Sequence, residues 1–179
     1  ERVVLQRKRG VILIDSIPPG ANILVDGKLQ LDSEKKGMLT PAKLRLLFGV
    51  NKLTLKLKNY YDHSENISID ERDHGTKTIE LEPLPGKLVV RVPSKHISSR
   101  VYINGSSVGT MDGKIAKRFN VPANKTLQIY IKDGLAISKE KSVTLEPAGT
   151  KNLTFDKLKV PEHPGLNFGL GLEYDSFSM

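Results

Sequence analysis

Apolar positions in this chain fall in short runs of period two, and turn residues interrupt each run before a helical face can build up. The clearest case is GVILIDSIPPGANILVDG from Gly10 to Gly27, where Val11, Leu13 and Ile17 alternate with Ile12 and Asp15, and Ile23 and Val25 alternate with Asn22 and Asp26. Pro18 and Pro19 fix φ at two successive positions and Gly20 is free to take φ > 0, so the chain must reverse between the two strands. Asp26-Gly27 then closes the second run with a hairpin signal. The same pattern predicts strands at Val11–Ser16, Asn22–Val25, Ala42–Leu46, Lys52–Lys58, Glu65–Asp70, Lys77–Leu81, Lys87–Val92, Arg100–Ile103, Lys114–Phe119, Thr126–Ile131, Lys139–Leu145 and Lys151–Phe155. No stretch carries an amphipathic helix longer than two turns, so an all-β protein of the sandwich type is expected.

The pattern repeats after about 75 residues. Gly10-Val-Ile-Leu-Ile corresponds to Gly86-Lys-Leu-Val-Val, Val25-Asp26-Gly27 to Ile103-Asn104-Gly105, and Asn51-Lys52-Leu53 to Asn124-Lys125-Thr126. After each Asn-Lys pair comes a regular strand: Leu53, Leu55 and Leu57 in the first copy, Leu127, Ile129 and Ile131 in the second, each with one core face and one wet face. Two small tandem β-sandwich modules are expected, residues 10–83 and 84–158, between an N-terminal linker (1–9) and a C-terminal linker and extended strand (159–179). The proline pair in Glu82-Pro83-Leu84-Pro85 predicts a short stiff connector at the seam. Modules of this size bury a modest share of their surface, which favours support from each other or from a partner.

With 38% hydrophobic and 27% charged residues, the chain has the makings of compact cores and no long apolar run. Cysteine is absent, which removes disulfides, thiolate metal sites and cysteine nucleophiles. The chain starts at Glu1 with no initiator Met and no signal peptide, as expected of a mature form or a piece of a longer protein. The excess of 28 Lys+Arg over 20 Asp+Glu gives a net charge of +8, a field that attracts nucleic acid, anionic lipid or anionic wall polymers, although lysines on solvent faces and strand edges account for it too. Arg7-Lys8-Arg9 is the one compact basic run and sits before the first strand, as a linker or juxtamembrane segment would. Lys114, Lys117 and Arg118 form a looser cluster.

Catalytic and metal-binding chemistry is not expected. His63, His74, His96 and His163 fall in loops and linkers without metal-ligand spacing. Asp62-His63 and Asp73-His74 have no nucleophile to serve, and adjacent strand residues point apart. The glycines around 105–113 lack the helix and lysine of a phosphate loop, and the acidic run Asp70-Glu71-Arg72-Asp73 lacks a spaced calcium-loop pattern. Tryptophan is absent, and Tyr60-Tyr61 is the one aromatic pair adjacent in sequence, expected to close the core with one ring and expose the other. Without interleaved aromatics, nucleic acid is not an expected partner. At the C-terminal end, Leu166, Phe168, Leu170, Leu172 and Tyr174 alternate with Asn167, Gly169, Gly171 and Glu173, the pattern of an outer-membrane barrel strand.

Pro18-Pro19-Gly20-Ala21, with Ser16 before it and Asp26-Gly27, Thr40-Pro41, Gly49 and Tyr60-Tyr61 after it, resembles the PEGA family of small β-sandwich modules over Gly10 to Pro83. Pro19 stands in place of the family's glutamate, and Asn59 where a glycine is usual. Residues Gly86 to Leu158 resemble a diverged copy that keeps Asn104-Gly105 and Gly109, with Ser98-Ser99 in place of the turn. The resemblance implies a non-catalytic, extracytoplasmic module without cofactors, of a kind found in surface-layer and envelope proteins and on membrane-anchored kinases. The expected role is that of a structural adaptor of the bacterial cell envelope, in the periplasm or at the outer membrane. Its expected partners are other envelope proteins or copies of itself, and the candidate contact residues are Tyr60, Tyr61, Lys114, Lys117, Arg118 and the apolar row from Leu166 to Tyr174. Binding of peptidoglycan or another anionic wall polysaccharide, contact of the residues after 165 with the outer membrane, and service as a kinase ectodomain are the alternatives.

Overall fold

The computed structural model describes residues 8–70 and 73–161. The first half holds β1 (Arg9–Ile17), β2 (Asn22–Val25), β3 (Lys28–Leu29), β4 (Ala42–Leu47), β5 (Gly49–Lys56), β6 (His63–Ile69) and β7 (Asp73–Glu80). The second holds β8 (Gly86–Arg91), a 3-10 turn at Ser94–His96, β9 (Arg100–Ile103), β10 (Ser106–Thr110), β11 (Ala116–Val121), β12 (Thr126–Asp133), β13 (Ala136–Ser138), β14 (Lys141–Thr144), β15 (Thr150–Thr154) and β16 (Leu158–Lys159). The protein is all-β: four small sheets arranged as two module-like halves, with no α-helix among the described residues. Among those residues no helix is long and apolar enough to cross a membrane.

In the first half, one sheet runs β4-β1-β7, with β1 antiparallel to β4 and parallel to β7, and the other runs β3-β2-β5-β6, antiparallel throughout. In the second half the sheets run β11-β8-β15 and β10-β9-β12-β13-β16, with β14 also on β12. By compactness the chain resolves into two units. One runs through Val90 and takes in Arg118–Leu127 and Val143–Leu153; the other takes Arg91–Lys117, Gln128–Ser142 and the described residues from Thr154 onward.

The core of the first unit includes Ile12 and Ile14 of β1, Ile23 and Val25 of β2, Leu44 and Leu46 of β4, Leu53 and Leu55 of β5 and Ile67 and Ile69 of β6, all buried. Each such side chain contributes about 1.5–3 kcal/mol by leaving water. The face of β1 is the reverse of the one its sequence suggests. Ile12, Ile14 and Ser16 point inward, while Val11 and Ile17 are exposed and Leu13 is half-exposed. The pairing explains this, since Ile12 sits opposite Leu44 and Gly10 opposite Leu46, the inward positions of β4.

Two hairpins named in the long-period repeat share their geometry, and the third match shifts by three residues. Asp26 and Asn104 both have left-handed backbones, with φ of 50° and 48°. The Asp26 carboxylate accepts the Lys52 N–H at 2.9 Å, and the Asn104 side-chain oxygen accepts the Gln128 N–H at 2.8 Å. Lys52 therefore corresponds to Gln128, and Leu53, opposite Val25, to Ile129, opposite Ile103. The expected segments reappear as strands, β2 and β9 with the ends expected and the others with shifted ends, and β3, β10, β13 and β16 are additional. These four are short return strands with at most one buried residue each and no apolar alternation to mark them.

Candidate functional site

The motif residues assemble into one buried corner at the end of β1. Ser16 and Thr40 are 2% and 4% exposed, so their hydroxyls need partners inside the protein. Ser16 Oγ donates to the Pro18 carbonyl at 2.7 Å, which uses its single hydrogen. The 2.5 Å contact between the two hydroxyls is therefore donated by Thr40, whose oxygen in turn accepts the Ala21 N–H at 3.0 Å. Backbone bonds close the ring: Gly20 N–H donates to the Thr40 carbonyl at 2.8 Å, and Thr40 N–H to that of Ala21 at 2.9 Å. Gly20 has φ of 92°, a conformation that side chains adopt rarely. Ala21 is fully buried, while Pro19 and Pro41 are exposed. Motif residues Pro18, Gly20, Ala21 and Thr40 thus meet in a folding corner in which both buried hydroxyls have partners. Asp26 and Gly27 form the two-residue hairpin turn into β3, with φ of 50° and 76°.

That hairpin feeds an apolar edge. Leu29 lies opposite Leu24, while isolated bridges place Leu31 opposite Gly37 and Leu39 opposite Asn22. This register sets Leu24, Leu29, Leu31 and Leu39 on the outer face of the sheet. Leu29, Leu31 and Leu39 are 46%, 52% and 50% exposed. The adjoining loop is held rigidly, because the Asp32 carboxylate accepts the N–H groups of Glu34 and Lys36 at 2.8 and 2.9 Å. Sequence periodicity misses this patch, since its leucines lie on a two-residue strand and in the irregular segment that follows.

Tyr60 is half-buried against the core of the first unit and Tyr61 is exposed, the division expected of that pair. Tyr61 lines an open groove of about 710 Å³ in the same unit, with Glu80, Glu82, Pro83, Pro122 and Lys125. The basic cluster does not converge. Lys117 binds the Asp112 carboxylate and donates to the Thr110 carbonyl at 2.7 Å, Lys114 is exposed, and strand alternation sends Arg118 to the opposite side of β11 from Lys117. Hydrogen bonds from Lys117 and then from the Thr110 hydroxyl hold the Asp112 carboxyl below the usual carboxylate range. Leu166, Phe168, Leu170, Leu172 and Tyr174 lie outside the described residues, as do Arg7, Glu71, Arg72 and His163.

Two histidines are less solvated than loop positions suggest. His96 Nδ1 lies 2.7 Å from an Asp133 carboxylate oxygen. His63 Nε2 lies 3.7 Å from Glu65, whose other oxygen pairs with Lys77 at 3.1 Å. Among the described residues no group of three or more His, Cys, Asp or Glu side chains is arranged to hold a metal ion.

A second tyrosine pair, 28 residues apart in the sequence, stands on the outer face of β9 and β12. Tyr102 lies directly across from Tyr130, their rings parallel within 3° and 4.8 Å apart. The next outward row pairs Arg100 with Lys132, whose ammonium is 5.3 and 5.8 Å from the two ring centres. Each tyrosine alternates with buried residues, Val101 and Ile103 in one strand and Ile129 and Ile131 in the other. That alternation is the signal from which the pair could have been read.

Residues 9–85 match the family model described as the PEGA domain. No curated protein matches the chain. Among solved structures, the chain is similar to the Bacillus anthracis TIE protein at 13% identity and a TM-score of 0.42, over 84% of this chain and 34% of that one. It spans about a third of that structure's length, and a likeness at this score carries no argument about function.

Proposed function

From the PEGA domain at residues 9–85, we propose that this protein is a non-catalytic adaptor of the bacterial cell envelope, extracytoplasmic, working by surface contact with other envelope proteins or with copies of itself. The proposal includes a tandem of two modules, residues 10–83 and 84–158, the second a diverged copy of the first. The observation that carries it is the leucine edge. Leu29, Leu31 and Leu39 present an apolar strip beside the short edge strand β3, and an exposed apolar edge is a surface on which another chain can pair and bury. The motif corner supports it by fixing Thr40 and the segment before it against Ala21, which holds the strip in one geometry.

Site-specific photo-crosslinking in producing cells tests the reading. A crosslinker at position 31 should give discrete protein adducts in the envelope fraction, and one at the exposed Asn152 should give none. Equal labelling from both positions, or adducts confined to the cytoplasm, would overturn it.

A further inference from the structure

The geometry points to a binding site for an acidic polysaccharide on the outer face of β9 and β12, built from Arg100, Lys132, Tyr102 and Tyr130. It is independent of the leucine edge.

Three observations converge. First, Arg100 and Lys132 are paired across neighbouring strands, and neither meets a carboxylate within ion-pair distance among the described residues. The acids nearest to them in sequence or in the adjoining turn are committed elsewhere: Asp133 to His96, and Asp112 to Lys117 and Thr110. Two cations held side by side without a counter-charge suit a carboxylate. Second, these cations line a cavity of about 230 Å³ with Ser98, Tyr102, Thr110 and Gly134, and no acidic residue lines it. The negative face of the Tyr102 ring offers a surface for the polarised C–H groups of a sugar. Third, the face continues with hydrogen-bonding groups suited to sugar hydroxyls. One row inward from the tyrosines, Ser142 Oγ donates to Gln128 Oε1 at 2.6 Å, leaving the Gln128 amide hydrogens for a ligand.

Successive rows on one face lie about 7 Å apart, so cations, rings and amide together span about 14 Å, a length on the scale of a few sugar units. A single-stranded nucleic acid fits less well. Its phosphates need cations along a track, and its bases need separate platforms, whereas here both cations occupy one row and the two rings are stacked on each other.

Tyrosine emission reports binding without interference because the chain has no Trp. The intact protein is titrated with tetragalacturonate, with neutral tetra-N-acetylchitotetraose and with an oligo-dT of fifteen nucleotides, and retention on purified wall sacculi is followed against salt. The uronate should give saturable quenching that weakens with salt, the neutral oligomer none, and the sacculi salt-sensitive retention. Loss of a charge-assisted contact in Arg100→Gln or Lys132→Gln should weaken uronate binding about tenfold or more, with the melting temperature unchanged. Failure of both uronate and sacculi to bind at millimolar sugar, or affinities unchanged in both variants, would overturn the site. Tighter binding of oligo-dT, lost in the same variants, would overturn the polysaccharide assignment in favour of nucleic acid. A photo-crosslink from position 31 without binding of either uronate or sacculi would leave the adaptor reading standing and this one refuted.

Discussion

The two halves of the chain turn the same corner with opposite chemistry. In the first, Thr40 N–H donates to the Ala21 carbonyl at 2.9 Å, and in the second, Met111 N–H donates to that of Ser99, also at 2.9 Å. Around this shared bond the side chains are exchanged. Ser16, buried at the end of β1, corresponds to Val92 after β8, and Thr40 corresponds to Met111, which is fully buried. The first corner needs a closed ring of hydrogen bonds to offset the desolvation of two hydroxyls. The second buries apolar groups, and Ser99 satisfies its own hydroxyl on the His96 carbonyl at 2.6 Å. Gly20, with φ of 92°, gives way to the 3-10 turn Ser94–His96, followed by Ile97 at φ of −68°. The motif sequence is thus one solution to a backbone requirement that can also be met without it.

The largest expected effect is at the apolar corner. Met111→Ala leaves a cavity in place of a fully buried side chain and should cost about 2–5 kcal/mol in denaturant unfolding, whereas the volume-conserving Met111→Leu should cost less than about 1.5 kcal/mol. A Leu variant as damaged as the Ala variant would mean that shape alone does not govern this corner.

At the polar corner, Thr40→Val keeps the volume and strands the Ala21 N–H, so about 1–3 kcal/mol should be lost. Combined with Ser16→Ala, the double variant should lose less than the two single losses together, because each removes a partner of the other. Strict additivity would show that the hydroxyls are not coupled.

Gly20→Val should cost about 1–3 kcal/mol through its backbone, since no heavy atom lies within 4 Å of an added Cβ. At the exposed Ser98 of the other corner, Ser98→Ala should stay within about 0.5 kcal/mol. Parity between these two variants would remove the backbone argument.

The smallest effect is at Asp112. Its carboxyl titrates below the ordinary range because Lys117 and then Thr110 donate to it. A depressed carboxylate contributes stability above its unfolded pKa and loses it as pH falls through the folded value, so any contribution should fade only in acid. NMR titration should place Asp112 below the ordinary aspartate range, and Lys117→Ala should move it upward. An unmoved midpoint would discount the ion pair.

What the sequence shows well is what depends on neighbours along the chain. Ser16, the proline-glycine turn, Asp26-Gly27 and Thr40 mark the first corner because each acts through its own backbone preference. What depends on pairing is harder to read. Every residue of β1 from Val11 to Ile14 is apolar, so periodicity alone does not choose between its faces, and the choice is made by Leu44 and Leu46 across the sheet. Tyr102 and Tyr130 meet only because β9 and β12 align as they do. That register follows once Asn104-Gly105 is taken as the counterpart of Asp26-Gly27 and Gln128 as that of Lys52. The leucine edge is hidden for another reason: β3 is two residues long, and the chain beyond it has no regular period.

The adaptor account stands on that edge making contact in the native protein. Light scattering of the native particle extracted from the envelope, for wild type and for the Leu29→Asp, Leu31→Asp double variant, tests it most directly. The account predicts a wild-type mass above that of a single copy and a fall to the single-copy mass in the variant, with its fold intact by circular dichroism. A wild-type protein that scatters as one lone copy would contradict it.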